Sequence, residues 1–436
     1  MMTKQISTNK PNVLDTKGRQ RRTLIKGAVT ATLATGTITG APMIWSQNIK
    51  DITLRQFGTG VSNLNDVATK VKEDLGFTLE MTALDSDSVA QRAATQPKSF
   101  DIADIEYWIC KKVWPAGNLQ PMDTSRIENY DKIVGIFRNG KLNPDSEIAQ
   151  GTAPHTVGFV EGPDSKKFAS EETGWMTLIP TIYNADTLGI RPDLIGREIN
   201  TWAELLNPEF KGKASILDIS SIGIMDAAMV CEAMGEITYG DKGNMTKEEI
   251  DKTMAIFTEA KKNGQFRAFW KSFDESVNLM ASGEVVIQSM WSPAITAVRS
   301  KGIPCVYQPL KEGYRSWGGG LGLSRNLEGM ELDAAYDYIN WYLSGWVGGY
   351  LMRQGYYSAV PETSKNFMSE DEWGFWFEGK EAQGDIVNPQ GVTMESAGAV
   401  RDGGSFEERM GSVACWNAVM DENQHMVRKW NEFIAA

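Results

Sequence analysis

The chain has 436 residues, 42% of them hydrophobic, and a formal charge of −12 at pH 7. That length allows two sizeable cores, and with no basic block in its body the chain is not built for nucleic acid or for an anionic membrane surface. Two histidines, His155 and His425, leave little for a His-based metal centre or a His-dependent triad.

The chain opens with a polar stretch, then Arg19-Gln20-Arg21-Arg22-Thr23-Leu24-Ile25-Lys26 and an uncharged run from Gly27 to Trp45. A basic region followed by a weakly hydrophobic segment is an export signal. The adjacent Arg21-Arg22, with Leu24-Ile25-Lys26 behind it, resembles a twin-arginine signal, which exports folded protein. Gly27 to Trp45 is too poor in Leu, Ile, Val and Phe for a membrane span. Cleavage is expected between Ala41 and Gln47. No Cys lies near that point, so no lipid anchor is expected there.

Strands and helices then alternate. Asp51 to Phe57 reads as a strand, and Asn65 to Leu75 as an amphipathic helix with Val67, Val71 and Leu75 on one face. Phe77 to Leu84 is a strand, Ser88 to Ala94 a helix, and Phe100 to Trp108 a strand that ends in an acid and two aromatics. This order implies βαβ units and a mainly parallel sheet. The connection from Lys132 to Gly174 is long and polar and reads as an insertion over the surface. Trp175 to Asn184 is a strand. Thr201-Trp202-Ala203-Glu204 has the spacing of a capping box. Lys213 to Asp218 is a strand, followed by Ser220-Ser221 and a Met/Ala-rich helix to Met234. Thr246 caps a helix that runs to Lys262.

Gly283 to Ser324 is the stretch that organises the rest. It reads as a buried strand to Met290, a Trp291-Ser292-Pro293 turn, a helix from Ala294 to Ser300, a strand from Ile303 to Gln308, and a third strand opened by Trp317 through three glycines. Trp291 and Trp317 then fall at strand ends, where an open α/β sheet binds its ligands. Leu332 to Leu343 and Trp346 to Gln354 are helices, and Gly355 to Pro361 is a loop. Glu422 to Ile434 closes the chain as a helix. Trp373, Trp376 and Trp430 are expected in a helical layer. Cys110, Cys231, Cys305 and Cys415 are either free and buried or paired in up to two disulfides.

Four segments carry a resemblance. TWAELLNPEFKG at 201–212 is similar to the "SWADLW-PEYKG" signature of periplasmic solute-binding proteins of ABC importers, in the spermidine/putrescine-binding branch. Gly283-Glu284-Val285 with Met290-Trp291 resembles that family's "GEV…MIW" strand, Lys311 to Trp317 its "P-EG…FW" turn, and Gly355 to Pro361 its "GY-P-P" loop. The resemblance covers residues 50 to 436. It implies an α/β, two-lobe periplasmic-binding-protein fold of type II. Each lobe is a mainly parallel sheet flanked by helices, and the ligand sits in the interlobe cleft. On this reading the export signal is 1–46, lobe 1 begins with 47–178, lobe 2 holds 179–315, 316–360 returns to lobe 1, and 361–436 packs mainly on lobe 2.

The resemblance further implies a periplasmic, monomeric binding subunit with no reaction to perform and no cofactor. Its partners would be a small organic amine and the permease subunits. Carried over by position, the ligand site takes Phe57, Trp108, Trp291, Trp317, Tyr357 and Glu407. The chain departs from the pattern at Gly319 and at Ser220-Ser221, where the family has acids. Glu106 is expected to replace one lost carboxylate, Ser220 to offer a neutral polar group, and Arg409 to offer a cation to a ligand carboxylate. A polyamine or another cationic or zwitterionic amine is therefore expected. The rivals are a sugar stacked on Trp108, Trp291 and Trp317, an Fe(III) site at Tyr356-Tyr357, and, from another class, an exported glycoside hydrolase.

Overall fold

The computed structural model describes residues 49–436. The export segment, with Arg21-Arg22 and the cleavage point, lies outside the described residues.

Short apolar runs make the first three strands. Thr53–Thr59 (β1), Thr78–Leu84 (β2) and Ile102–Glu106 (β3) lie parallel in the order β3-β1-β2. The crossovers between them are Asn65–Leu75 (α1), which buries Val67 and Val71, and Ser86–Thr95 (α2), capped by the Asp85 carboxylate on the Ser88 N–H at 2.9 Å. Ile179–Ile190 (β4) follows, twelve residues buried from end to end. Three more parallel strands form the other half of the sheet in the order β6-β5-β7: Ala214–Leu217 (β5), Phe266–Trp270 (β6) and Ile287–Met290 (β7). Their crossovers are Ser220–Ala233 (α3), Lys247–Lys262 (α4) and Phe273–Ser282 (α5). Ser292–Arg299 (α6) and Val306–Tyr307 (β8) lead to Tyr314–Ser324 (β9), the second long strand.

β4 and β9 pair antiparallel at the centre and join the two parallel halves into one sheet, β6-β5-β7-β4-β9-β3-β1-β2. The rest of the chain wraps this sheet. It comprises Gly329–Leu343 (α7), Trp346–Met352 (α8), Tyr357–Ser358 (β10), Glu370–Trp376 (α9), Phe406–Gly411 (α10), Val413–Trp416 (β11) and Asn423–Ala435 (α11). One core lies on the β1–β3 side and takes Phe57, Phe100, Trp108 and Tyr183; the other gathers Trp202, Phe257, Trp430 and Phe433 around β5.

The structure corrects three expectations. Thr201 caps a short 3₁₀ turn, but Glu204 does not complete a box: it binds Arg197 at 2.7 Å and Asn207. Glu312 takes its place, accepting from the Thr201 hydroxyl at 2.5 Å and the Trp202 N–H at 3.1 Å. The 132–174 connection runs over the surface only in part. Residues 143–149 and 161–174 are mostly exposed, but Ile133, Phe137, Val157 and Phe159 are buried, and Phe137 stands edge-on to Tyr183 at 5.1 Å. Polar spacing in the sequence hid these anchors. Trp317 lies inside β9 rather than at its end. All four cysteines are free and buried.

The glycine run in β9 has unequal room. A Cβ on Gly320 would meet Ile179 O and Leu178 Cβ at 2.9 Å, whereas one on Gly319 meets nothing closer than 3.5 Å. Gly320→Ala is expected to destabilise the protein by about 1–3 kcal/mol in urea unfolding, through overpacking. Gly319→Ala should change stability by no more than about 0.5 kcal/mol.

Candidate functional site

Register fixes where the cleft lies. β3 runs antiparallel to β9 and ends with Glu106 opposite Gly319. β7 runs antiparallel to β4 and ends with Met290 opposite Thr187. The carboxyl ends of β3 and β7 therefore point at each other across some five residues of β4, roughly 17 Å. Arg315 pairs with Asp186 and Trp317 with Asn184 on the floor between them. Paired residues share a sheet face, so Arg315, Trp317, Asp186, Gly319 and Glu106 lie on one side, with Asp104 two positions back from Glu106.

A small cleft opens at the β3 end of this floor. It is lined by Thr59, Val61 and Ser62 after β1, by Asp104, Ile105 and Glu106 of β3, and by Ile182, Trp317 and Gly319. Trp317 is the one residue of β9 that is not fully buried. Its ring meets the edge of Tyr356 at 6.1 Å.

The two carboxylates are held by neutral groups. Asp104 accepts hydrogen bonds from the Ser62 hydroxyl and from Asn63 at 3.3 Å. Gly58 permits this approach, because a Cβ there would lie 2.6 Å from the Asp104 carbonyl oxygen. Glu106 accepts from the Ser86 hydroxyl at 3.2 Å and from the Trp108 indole N–H at 2.5 Å. Burial drives the Asp104 carboxyl up to about 7, against the Ser62 hydrogen bond and with help from the nearby Glu106 charge. Glu106 is raised too, chiefly by burial. Two desolvated carboxylates beside a half-exposed indole form a place for a cation.

Further along the floor Arg315 is fully buried. Its Nε donates to Asp226 at 2.6 Å and its Nη1 to Asn417 at 2.9 Å, with Asp186 at 3.4 Å. Burial raises both acids, Asp186 up to about 7, while Arg315 pulls them down.

Of the expected site residues, the fold brings Glu106 and Trp317 together. Trp291, half-buried, directly follows β7 and stands edge-on to Trp270 at 4.8 Å. Ser220, also half-buried, is the first residue of α3. Both sit at the opposing strand ends. The others lie elsewhere. Phe57 is core, packed on Phe100 at 4.9 Å. Trp108 is buried behind Glu106 and serves it through the indole N–H; β3 has already ended, so the expected shared strand face does not arise. Tyr357 is enclosed by Phe406 at 5.0 Å and Tyr183 at 5.8 Å, and its neighbour Tyr356 faces Trp317 instead. Glu407 is exposed on α10, opposite the face that buries Phe406, Arg409 and Met410. Arg409 is 1% exposed; it donates to Asp402 O at 2.8 Å and Ser292 Oγ at 3.3 Å and lies over Tyr307 at 4.1 Å. Its guanidinium is turned inward, away from the cleft lining. Sequence reasoning missed Asp104 and Ser62. The signal for Asp104 was its i, i+2 spacing from Glu106 within one strand.

The sequence profile of the bacterial extracellular solute-binding protein family matches residues 66–364. The chain is similar to the spermidine/putrescine-binding periplasmic protein of Escherichia coli, 24% identical over 235 residues. That match covers 53% of this chain and 56% of the relative, so the chain spans about half the length of the curated relative. The fold is similar to a spermidine/putrescine ABC transporter substrate-binding protein from Streptococcus pneumoniae, with a TM-score of 0.58, 14% identity, and 88% of this chain and 97% of that one covered. A putative spermidine/putrescine ABC transporter from Listeria monocytogenes aligns with a TM-score of 0.59 at 14% identity, covering 88% and 98%. These likenesses carry the fold, the type II periplasmic-binding-protein architecture.

Asp104 makes stability depend on pH. Its carboxyl titrates near 3.9 unfolded and at about 7 folded, so the folded state holds the extra proton between those values and stability falls as pH rises through that window. Asp104→Asn removes this penalty. The ligand-free variant is expected to gain stability over the parent as pH rises from 4 to 7, by at most about 4 kcal/mol. Urea melts at pH 4 and pH 8 measure it, and an equal effect at both would contradict the assignment.

Proposed function

Because the chain belongs to the bacterial extracellular solute-binding protein family, we propose that it is the substrate-binding subunit of an ABC importer and that it captures a small organic amine. The observation that carries the ligand class is the acidic pair. Asp104 and Glu106 are desolvated, held only by neutral hydrogen-bond donors, and faced by Trp317. An ammonium group supplies the missing positive charge to the carboxylates and lies against the indole face, where both interactions are strengthened by exclusion of water. The printed names of the relatives, spermidine/putrescine-binding proteins, agree with this chemistry.

In this reading the two halves of the sheet are the lobes, with 47–178 and 316–360 on one side and 179–315 on the other. They close by bending at β4 and β9, the strands that cross between them. The working protein is periplasmic, delivered through the twin-arginine segment, and passes its solute to permease subunits.

Titration calorimetry of the chain from residue 47 onward, with putrescine, spermidine and simple monoamines, tests the proposal. At least one amine is expected to bind, with glucose and ferric citrate silent. Glu106→Gln should weaken binding about 10- to 150-fold by removing a charged acceptor. Trp317→Ala should weaken it about 2- to 30-fold by removing the cation–π wall. Binding of a sugar or of ferric iron, or amine binding untouched by both substitutions, would overturn the reading.

A further inference from the structure

Gly319 stands at a fault in the central strand pairing. Gly318 faces Tyr183 and Gly320 faces Pro180, so β4 sets two residues, Thr181 and Ile182, against Gly319 alone. A bulge of this kind interrupts the ladder and re-aims the groups beside it. Gly319 and Ile182 both line the small cleft.

Three oxygens gather at this fault. The point where a Cβ of residue 319 would stand lies 3.5 Å from Thr181 Oγ1, 3.7 Å from the Ile182 carbonyl oxygen and 3.9 Å from Asp104 Oδ1. Both hydrogen bonds that Asp104 accepts, from Ser62 and Asn63, go to Oδ2, so Oδ1 receives none from the described residues. Thr181 is 1% exposed, and its Oγ1 has no hydrogen-bond partner among the described residues. The Ile182 carbonyl has two lone pairs, so a bond within the sheet does not exhaust it. With no side chain at 319, these acceptors edge a notch in the cleft floor. Aromatic surface is scarce by comparison: Trp317 is the one aromatic residue of the cleft lining. Quaternary ammonium groups are recognised by cages of several rings.

Resting on the amine-binding reading above, we infer that the notch over Gly319 takes a primary ammonium group and discriminates against its N-methylated forms. The three N–H groups go to Asp104 Oδ1, Thr181 Oγ1 and Ile182 O, while Glu106 adds charge and Trp317 an apolar wall. Each N-methyl group deletes a donor and sets a methyl against an oxygen. A trimethylammonium group keeps the charge but satisfies none of the three acceptors.

Titration calorimetry on the chain from residue 47 onward tests this with butan-1-amine, putrescine and spermidine, each beside its fully N-methylated form. The primary amine that binds best is expected to exceed its methylated form by at least about tenfold. A methylated form that binds equally well or better overturns the notch inference and leaves the amine reading standing. Silence from every amine sinks the amine reading itself. Gly319→Ala supplies a second test, because its methyl fills the notch with no contact closer than 3.5 Å. Urea unfolding should be nearly unchanged, while affinity for the primary amine falls by about tenfold or more and its lead over the methylated form shrinks. Thr181→Val keeps the branched shape, removes the hydroxyl and should weaken the primary amine by about tenfold, through loss of one acceptor to a charged donor. An unchanged lead in either variant overturns the placement of the ammonium group.

Discussion

The antiparallel pairing of β4 with β9 is the constraint on which the rest depends. Both strands run through the buried centre of the sheet, twelve and eleven residues long. Each half of the sheet is parallel and would present its strand carboxyl ends to one side only. Joining the halves through an antiparallel pair turns those ends toward each other, and a cleft follows from the register alone. Paired residues share a face, so the same pairing sets Trp317, Arg315 and Asp186 on one floor. Gly318 and Gly320 let the ring of Phe137 and the start of β4 come close, and Gly319 lines the cleft beside Asp104.

That floor carries charge where charge is costly. A carboxylate removed from water is stabilised again only by donors or by a cation. Asp104 and Glu106 accept from neutral donors, and the Arg315 charge favours the ionised form of Glu106. The ligand-free protein is thereby less stable at neutral pH than it would be with an amide at position 104. On the proposed amine-binding reading, the free energy lost in the empty state returns when a cation enters. Trp108 and Ser86 belong to the same arrangement. They hold Glu106 in one orientation, so little rotamer freedom remains to be lost on binding.

Elsewhere the protein stabilises buried cations with rings. Arg401 lies over Trp376 at 4.9 Å and over Tyr357 at 4.7 Å, and Arg409 lies 5.8 Å from Tyr357 and 4.1 Å from Tyr307. Tyr307 in turn stacks on Tyr314 at 5.6 Å. Each guanidinium lies near two or more aromatic rings, and backbone carbonyls of Trp376, Gly355 and Asp402 accept from its N–H groups. Burial still lowers the Arg401 pKa. This ladder ties the C-terminal segment to β8 and β10, the short strands that flank β4.

The sequence by itself determined the elements and their alternation. The periodicity of Val67, Val71 and Leu75 marks α1, Thr246 marks the cap of α4, and the apolar run ending at Met290 is β7. It also determined the family, through motifs that prove to touch: Trp202 donates its indole N–H to the Gly313 carbonyl at 2.9 Å. These features are local, or rest on side chains whose spacing is set by one element. What only the tertiary structure decided is which polar and aromatic side chains face the cleft. Tyr356 and Tyr357 are neighbours in sequence, yet one meets Trp317 and the other is enclosed: β10 begins at Tyr357 and pairs it with Tyr183 of β4, while Tyr356 lies just before the strand. Glu407 and Arg409 look like an exposed pair, but α10 buries one and exposes the other. Asp104 reads as one more acid in an acidic chain until β9 and the Ser62 loop close around it. Burial, partner and charge state are properties of non-local packing, and no spacing within a single strand or helix encodes them.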